Sequence, residues 1–321
     1  MTQQTQSAPA LSEITIIIPT YQRSAALKNV LESISNKLQT NHKVSVLIVD
    51  NNPLPQEKAF IGKYAQTFRF PIEYLHEPNS GVSYARNSGL SYIKTKYVAF
   101  LDDDMEISPN WIDSLMKVTQ SHHTAVTFGP IEARFPEDLK DLEPYIGSFY
   151  SRHGRKDFEG LTSEIFGTGG CLLDMEQIRP INPKFDPVHN ASGGEDDAYF
   201  TQLGSAGLKF GWSSEANCYE VVPSHRLTRD YIFRRNFGYG QAPSRIAKLK
   251  GIKGFPNLLR HLCVGVAQII VFSPIYLCLA LLKRPSALKY LGLSSRGFGK
   301  VFFMNSFRPQ LYGPNRKIKK N

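Results

Sequence analysis

Acidic residues are missing from the whole C-terminal stretch: residues 231–321 contain no Asp or Glu, against 17 Lys and Arg. The first 230 residues hold 21 basic and 28 acidic side chains, so the formal net charge of +10 comes from the tail alone. A tail of this kind suggests an anionic partner, either nucleic acid or a membrane surface. Cysteine is scarce as well. Cys171, Cys218, Cys263 and Cys278 form no CxxC pair, which argues against a zinc site or a disulfide framework and suits a reducing, cytoplasmic setting. Residues 1–12 are polar and lack the apolar core of a secretory signal, so they are expected to be a disordered lead-in. No GxGxxG follows the first apolar run, which removes a dinucleotide fingerprint from consideration. Hydrophobic content of 41% is ordinary for a globular chain and excludes general disorder.

What is present alternates. Residues 15–21, 44–50, 72–75 and 97–101 read as strands, and 23–38, 56–68 and 81–94 as helices, the first with apolar residues at Ala26, Leu27, Val30, Leu31 and Ile34. This order predicts a mostly parallel central sheet with right-handed crossovers and flanking helices. In such sheets ligands collect at the carboxyl ends of strands. That edge gathers Pro19 to Arg23, Asp50, Arg86 and the triplet Asp102, Asp103, Asp104. The triplet reads either as an acidic turn that caps the next helix or as a site for a hard divalent cation, Mg2+ or Mn2+, bridging phosphate oxygens.

The second half changes character. Residues 125–135 read as one strand and 136–162 as a polar, mobile loop. The segment Gly167-Thr168-Gly169-Gly170 enters a further strand, its glycines allowing close backbone approach to a ligand. Glu195, Asp196 and Asp197 open a helix near residue 195, where the dipole stabilises negative charge. They read as helix caps or as the home of a general base. Residues 262–282 are mostly apolar and, as one helix, would measure roughly 31 Å, about a bilayer core. Gln268, Ser273 and Pro274 interrupt them, and basic residues flank both ends. A break near Pro274, giving a re-entrant or interfacial pair, explains this symmetry better than a single span. The tail is therefore expected to meet an anionic membrane surface, and no base-reading motif supports nucleic acid.

Six motifs in order, Ile17-Ile18-Pro19-Thr20-Tyr21-Gln22-Arg23, Val49-Asp50-Asn51, Gly81-Val82-Ser83-Tyr84-Ala85-Arg86-Asn87, Leu101-Asp102-Asp103-Asp104, Gly167-Thr168-Gly169-Gly170 and Gly194-Glu195-Asp196-Asp197, resemble those of the family 2 glycosyltransferases. The resemblance covers residues 14–239. It implies a GT-A nucleotide-diphospho-sugar transferase fold over 13–240, with a nucleotide-binding half at 13–104 and an acceptor half at 105–240. Residues 241–321 would then be a helical, membrane-associated region. It implies that Pro19, Thr20, Tyr21, Arg23, Asp50, Arg86 and Asp102 line the donor nucleotide, that Asp104, Asp102 and His225 hold Mn2+ or Mg2+, and that Gly169, Gly170 and Glu195 face the acceptor. Asp103 matches the variable middle position of the acidic motif and would point away. Asp196 would be the base of an inverting transfer, with Asp197 the neighbouring alternative. The implied partners are a nucleotide-sugar, such as a UDP-sugar, and a glycan or lipid-linked acceptor in surface polysaccharide synthesis, met at the cytoplasmic face of the membrane. The Gln-x-x-Arg-Trp motif of processive members is absent, and Arg234 and Arg235 stand in that region as diphosphate partners or as the start of the basic tail. The rival readings are a sugar nucleotidylyltransferase, whose glycine-rich triphosphate loop is absent, and a silent membrane scaffold of the same fold.

Overall fold

The computed structural model describes residues 12–190, 193–249 and 251–309. The expected lead-in lies almost wholly outside them, as does Lys250, one of the basic flanks. By compactness the chain divides into two units: the first is residues 1–130, 154–187 and 195–218, the second 131–153, 188–194 and 219–321.

The first unit is built on an eight-stranded sheet. Its strands are β1 (Glu13–Thr20), β2 (Lys43–Asp50), β3 (Ile72–His76), β4 (Tyr97–Phe100), β6 (Val126–Phe128), β8 (Glu159–Thr162), β9 (Cys171–Asp174) and β10 (Phe210–Ser213), in the order β3-β2-β1-β4-β9-β6-β10-β8. β5 (Met105–Ile107) follows the acidic turn. Strands β3, β2, β1 and β4 run parallel, with Thr20 opposite Asp50 and Ile17 opposite Phe100. β9 enters antiparallel between β4 and β6. Ile14, Ile16, Ile17 and Ile18 are all fully buried. Continuous rather than alternating burial is what a strand covered on both faces requires, and each such side chain contributes about 1.5–3 kcal/mol on leaving water.

Helices α1 (Ser24–Lys37), α2 (Lys58–Tyr64), α3 (Val82–Tyr92) and α4 (Trp111–His122) follow β1, β2, β3 and β5. α1 buries Leu27, Val30, Leu31 and Ile34, one stripe at helical spacing. α3 rides close to the sheet at Gly89, where a Cβ would come within 3.0 Å of Ile17 Cγ2. The short turn α6 (Met175–Ile178) follows β9, and α7 (Glu195–Ser205) carries the second acidic cluster. Residues 125–135 do not form one strand. They break at Gly129-Pro130, because a Cβ at position 129 would meet the Ala216 carbonyl oxygen at 2.3 Å and Pro130 has no N–H to donate.

The second unit contains β7 (Ile131–Arg134) paired with β11 (Cys218–Val221), the short turn α5 (Glu143–Ile146), and α8 (Arg229–Leu249), α9 (Phe255–Leu281) and α10 (Ala287–Val301). Ile146, Phe149 and Tyr150 are buried in its apolar cluster, so part of the polar 136–162 stretch is anchored rather than loose. α9 is one helix. Pro274 lies inside it and does not divide it, which corrects the expected break. Proline removes one N–H from the ladder, and beside it Ser273 Oγ is 2.7 Å from Ser294 Oγ on α10. α9 and α10 approach at paired glycines: a Cβ at Gly265 would lie 2.9 Å from the Gly297 carbonyl oxygen. Of the residues of α9, Gly265 alone is buried.

Candidate active site

The carboxyl ends of β1, β2 and β4 deliver three sets of side chains to one edge of the first unit. β4 stops at Phe100, Leu101 N–H donates to the Ile17 carbonyl (3.1 Å), and the chain turns at Asp102. In this turn the three acids separate. Asp103 is directed inward, not away. Its carboxylate accepts from Thr20 Oγ1 (2.9 Å) and from Arg23 Nη1 (2.9 Å), and the same Nη1 reaches Asp104 Oδ2 at 2.9 Å. Burial pushes the Asp103 carboxyl up to about 6, against the pull of Arg23. Thr20 and Arg23, both expected near a donor, are therefore positioned by Asp103. Pro19 and Tyr21 flank Thr20, both half-buried.

Asp50 is fully buried, and its own chain engages both of its oxygens. Oδ1 accepts from the Asn52 backbone N–H (3.1 Å) and Nδ2 (2.7 Å), and Oδ2 from Glu57 N–H (2.9 Å) and Tyr74 Oη (2.8 Å). In this arrangement Asp50 folds the turn after β2. Asn51 ties the next two segments together, donating to the carbonyls of Glu77 and Asn79 and accepting from Gly81 N–H (2.7 Å).

The centre of the site is Arg86 on α3. Its side chain is 5% exposed, and its guanidinium meets both acidic clusters: Asp196 Oδ1 at 2.7 Å, Glu195 Oε1 at 2.9 Å and Asp102 Oδ1 at 3.5 Å. Phe185 lies beneath it, with Arg86 Cζ 5.5 Å from the ring centroid, and Phe185 stacks on Tyr199 at 4.0 Å. Asn87 clamps the Phe185 backbone through reciprocal bonds of 2.8 and 3.0 Å. Burial alone would lower the affinity of Arg86 for its proton, but Asp196, Asp102 and Glu195 outweigh it and hold the cation firmly charged. Asp196 and Asp102 are both raised by burial, with Arg86 opposing the rise. Asp102 keeps an open face, its side chain being 37% exposed.

The glycine segment runs between the two clusters. A Cβ at Gly169 would stand 2.7 Å from Asp102 Oδ2, and one at Gly167 would stand 3.1 Å from Asp196 Oδ2. Gly170 adopts φ 71° and donates to the Phe100 carbonyl (2.8 Å). Thr168 holds Asp196 through its N–H (3.1 Å) and its hydroxyl (3.2 Å). Asp197, next along α7, is exposed.

The structure thus brings together Thr20, Arg23, Arg86, Asp102, Asp104, Gly169, Gly170, Glu195 and Asp196 in the first unit. His225 belongs to the second, on the turn Ser224–Leu227, its ring edge-on to Tyr231 at 6.3 Å. Asp103, Thr168 and Asn87 do work that the sequence reading did not assign to them. Only Thr168, a hydroxyl set inside a glycine run, carried a local signal. Among the described residues no three His, Cys, Asp or Glu side chains converge as a ready-made metal cage. The open carboxylate of Asp102 and the Asp104 carboxylate still fit a hard cation, because Mg2+ is commonly held by one or two carboxylates plus substrate phosphates. The absence of a Cβ at Gly169 leaves room beside Asp102.

A family model described as glycosyl transferase family 2 matches residues 15–176. The succinoglycan biosynthesis protein ExoM of Rhizobium meliloti is 26% identical over 73% of this chain and 74% of its own length. The minor teichoic acid biosynthesis protein GgaB of Bacillus subtilis is 26% identical over 64% of this chain but only 22% of its own. A pre-mycofactocin glycosyltransferase of Mycobacterium tuberculosis is 32% identical over 74% of this chain and 48% of its own length. Among solved structures, residues 1–349 of S. aureus TarS superpose with a TM-score of 0.52 at 13% identity, covering 88% of this chain and 90% of that one. GalNAc-T7, crystallised with UDP, GalNAc and Mn2+, gives 0.52 at 13% identity over 73% and 51%. At such identities the likeness speaks for the fold alone. The family match covers β1 to α6, and with it the edge that carries Arg23, Arg86 and the acidic turn: the chain belongs to glycosyl transferase family 2, enzymes of glycosyl transfer, and has the GT-A fold.

Proposed function

We propose that the chain transfers a sugar from a nucleotide-sugar, a UDP-sugar foremost, to a hydroxyl of a glycan or lipid-linked acceptor in surface polysaccharide synthesis, with inversion at the anomeric carbon. The observation that carries this is the meeting of both acidic clusters at Arg86. Asp196 is the base. It is half-buried and raised in pKa by that burial, which favours proton uptake, and Thr168 orients it. It takes the hydroxyl proton as the acceptor oxygen bonds to the anomeric carbon and the bond to the nucleoside diphosphate breaks. Asp197, exposed on the next position of α7, is the poorer candidate. Arg86 and Arg23 offer positive charge to the diphosphate, and Thr20 lines the approach. Asp102 and Asp104 would hold Mn2+ or Mg2+, which supplies Lewis-acid stabilisation of the leaving diphosphate. Glu195 and Gly170 lie toward the acceptor.

The relatives named for succinoglycan and teichoic acid synthesis support an acceptor in surface polysaccharide assembly. The acid-free tail supports contact with an anionic membrane at the cytoplasmic face: α9 is apolar and largely uncovered, and Lys253 and Arg260 precede the apolar run while Lys283, Arg284 and Lys289 follow it. The test is nucleotide release from a panel of nucleotide-sugars with and without Mn2+, using wild type and Asp196→Asn. Asp196→Asn should bind donor and not transfer; full transfer by that variant overturns the assignment. His225 as a further metal ligand is tested by His225→Ala, which should then need more Mn2+ for half-maximal turnover.

A further inference from the structure

Length alone would let α9 cross a bilayer: its 27 residues make a helix of roughly 40 Å. Its packing argues otherwise. α10 runs back along one side of it. A Cβ at Gly297 would lie 2.9 Å from Gln268 Cβ and 3.1 Å from Ile269 Cγ1. Further along, Ser294 Oγ is 2.7 Å from Ser273 Oγ, and the Tyr290 and Phe272 ring centroids are 6.2 Å apart. Lys300 Nζ donates to Gln268 Oε1 (2.9 Å). α10 is in turn locked to α8: a Cβ at Gly240 would lie 2.2 Å from the Arg296 carbonyl oxygen, and Arg296 Nε donates to Asn236 Oδ1 (2.9 Å). Gln268 lies well inside the apolar run 262–282. A spanning α9 would therefore carry Lys300 and Arg296 into the hydrocarbon core, and α8 with them, where charged side chains are costly.

The opposite side of α9 is apolar and open. Leu259, Val266, Ile270, Leu277 and Leu281 are between 46% and 84% exposed. With exposed Pro274 they recur every three, four or seven residues, as one stripe turned away from the side that meets α10. From Leu259 to Leu281 the stripe measures roughly 33 Å.

Charge decides what covers it. Lys253 and Arg260 lie at one end and Lys283 and Arg284 at the other, all four exposed, and residues 231–321 hold no acid. A second copy of α9 laid along the stripe, in either direction, would set basic ends against basic ends. One leaflet of an anionic membrane supplies the opposite charge at both ends and hydrocarbon between them. We propose that α9 lies in the plane of such a leaflet, its Leu259–Leu281 stripe sunk into the acyl chains, both basic ends among the headgroups, and α10 and α8 on the aqueous side. This rests on the membrane contact proposed above and adds its geometry: neither end of α9 crosses to the far leaflet.

The experiment uses the full chain and its own thiols. Cys263 and Cys278 are exposed on α9, while Cys171 and Cys218 are buried. A thiol-reactive NBD probe is placed at 278 in Cys263→Ser, at 263 in Cys278→Ser, and at 270 in Ile270→Cys carrying both Ser changes. UDP binding in Mn2+ equal to wild type shows that each labelled chain is folded. Quenching by phospholipids spin-labelled at different acyl depths, in vesicles of phosphatidylcholine and phosphatidylglycerol, reads the depth of each probe. All three should lie at one shallow depth, whereas a spanning helix puts 270 roughly 11 Å deeper than the other two. A probe at 270 deeper by that order overturns the in-plane arrangement and leaves the membrane contact standing. Wild type that fails to float with these vesicles overturns both. Ile270→Glu, with UDP binding retained, should float about tenfold less well, or worse; flotation equal to wild type overturns the stripe as the lipid face. A dimer in ultracentrifugation that Ile270→Glu dissociates gives the stripe to a second copy and overturns the proposal too.

Discussion

Replacing Arg86 by Met keeps the approximate length of the side chain and removes the one charge on which Asp196, Glu195 and Asp102 converge. Removing one partner of a buried pair costs about 3–5 kcal/mol, because the remaining charge stays out of water. Here Glu195 and Asp196 are the remaining charges that matter most. Asp102, with an open face, is partly screened and adds less. For a domain of this size that loss corresponds to a fall in Tm of about 6–20 °C. The sign with pH follows from the carboxylates. Asp196 and Asp102 are already raised by burial, and without Arg86 they rise further. A carboxylate raised in the folded state carries no penalty when both states are protonated, and its penalty grows as pH climbs through the folded pKa. The gap between wild type and Arg86→Met should therefore be small near pH 4 and widen toward pH 7.5. Urea unfolding at pH 4.5, 6 and 7.5 measures it. A gap that is the same at all three values, or under about 1 kcal/mol at pH 7.5, would refute the placement of Arg86 as the shared counter-ion.

Asp196→Asn should lower turnover by about 100- to 10,000-fold, the range of a lost general base, while calorimetric donor affinity stays near wild type. Asp104→Asn should raise the donor Kd in Mn2+ and leave metal-free binding unchanged; equal loss in both conditions would speak against a metal ligand. For Asp103, raised to about 6, wild-type stability should fall as pH rises from about 4 through 6. Asp103→Asn should lack that fall and be the more stable above pH 7, by up to about 3 kcal/mol from the shift alone. Its donor affinity should nevertheless drop, because Arg23 and Thr20 lose their anchor, and titration of the nucleotide checks this.

β1, β2 and β4 of the parallel half were legible because they are buried on both faces and so read as nearly unbroken apolar runs, β2 and β4 leading into acids. β1, β2 and β4 emerge within one or two residues of their expected ends. The positions of Asp50 and of Asp102 to Asp104 were legible for the same reason: an Asp at the end of a buried run must stand at the carboxyl edge of the sheet. What separates Asp102, Asp103 and Asp104 was not legible, because three identical side chains carry no record of which one turns inward to Thr20. Nor was the antiparallel entry of β9 between β4 and β6, which depends on pairing partners far apart in sequence. The helix break expected at Pro274 failed because proline costs one hydrogen bond, while the contact of Ser273 with Ser294 and the glycine approach of α9 to α10 lie on a different segment that local pattern does not see.

Arg86 has a thermodynamic consequence beyond stability. One guanidinium serves as counter-ion to Asp102, Glu195 and Asp196, so under the proposed roles the proton affinity of Asp196 and the affinity for a donor anion are linked functions. Any anion that draws Arg86 toward itself leaves Asp196 with less positive charge and therefore more basic. By reciprocity, a proton on Asp196 must strengthen the hold on that anion by the same factor. Donor association should then take up protons from solution, with an uptake that depends on the pH of the measurement.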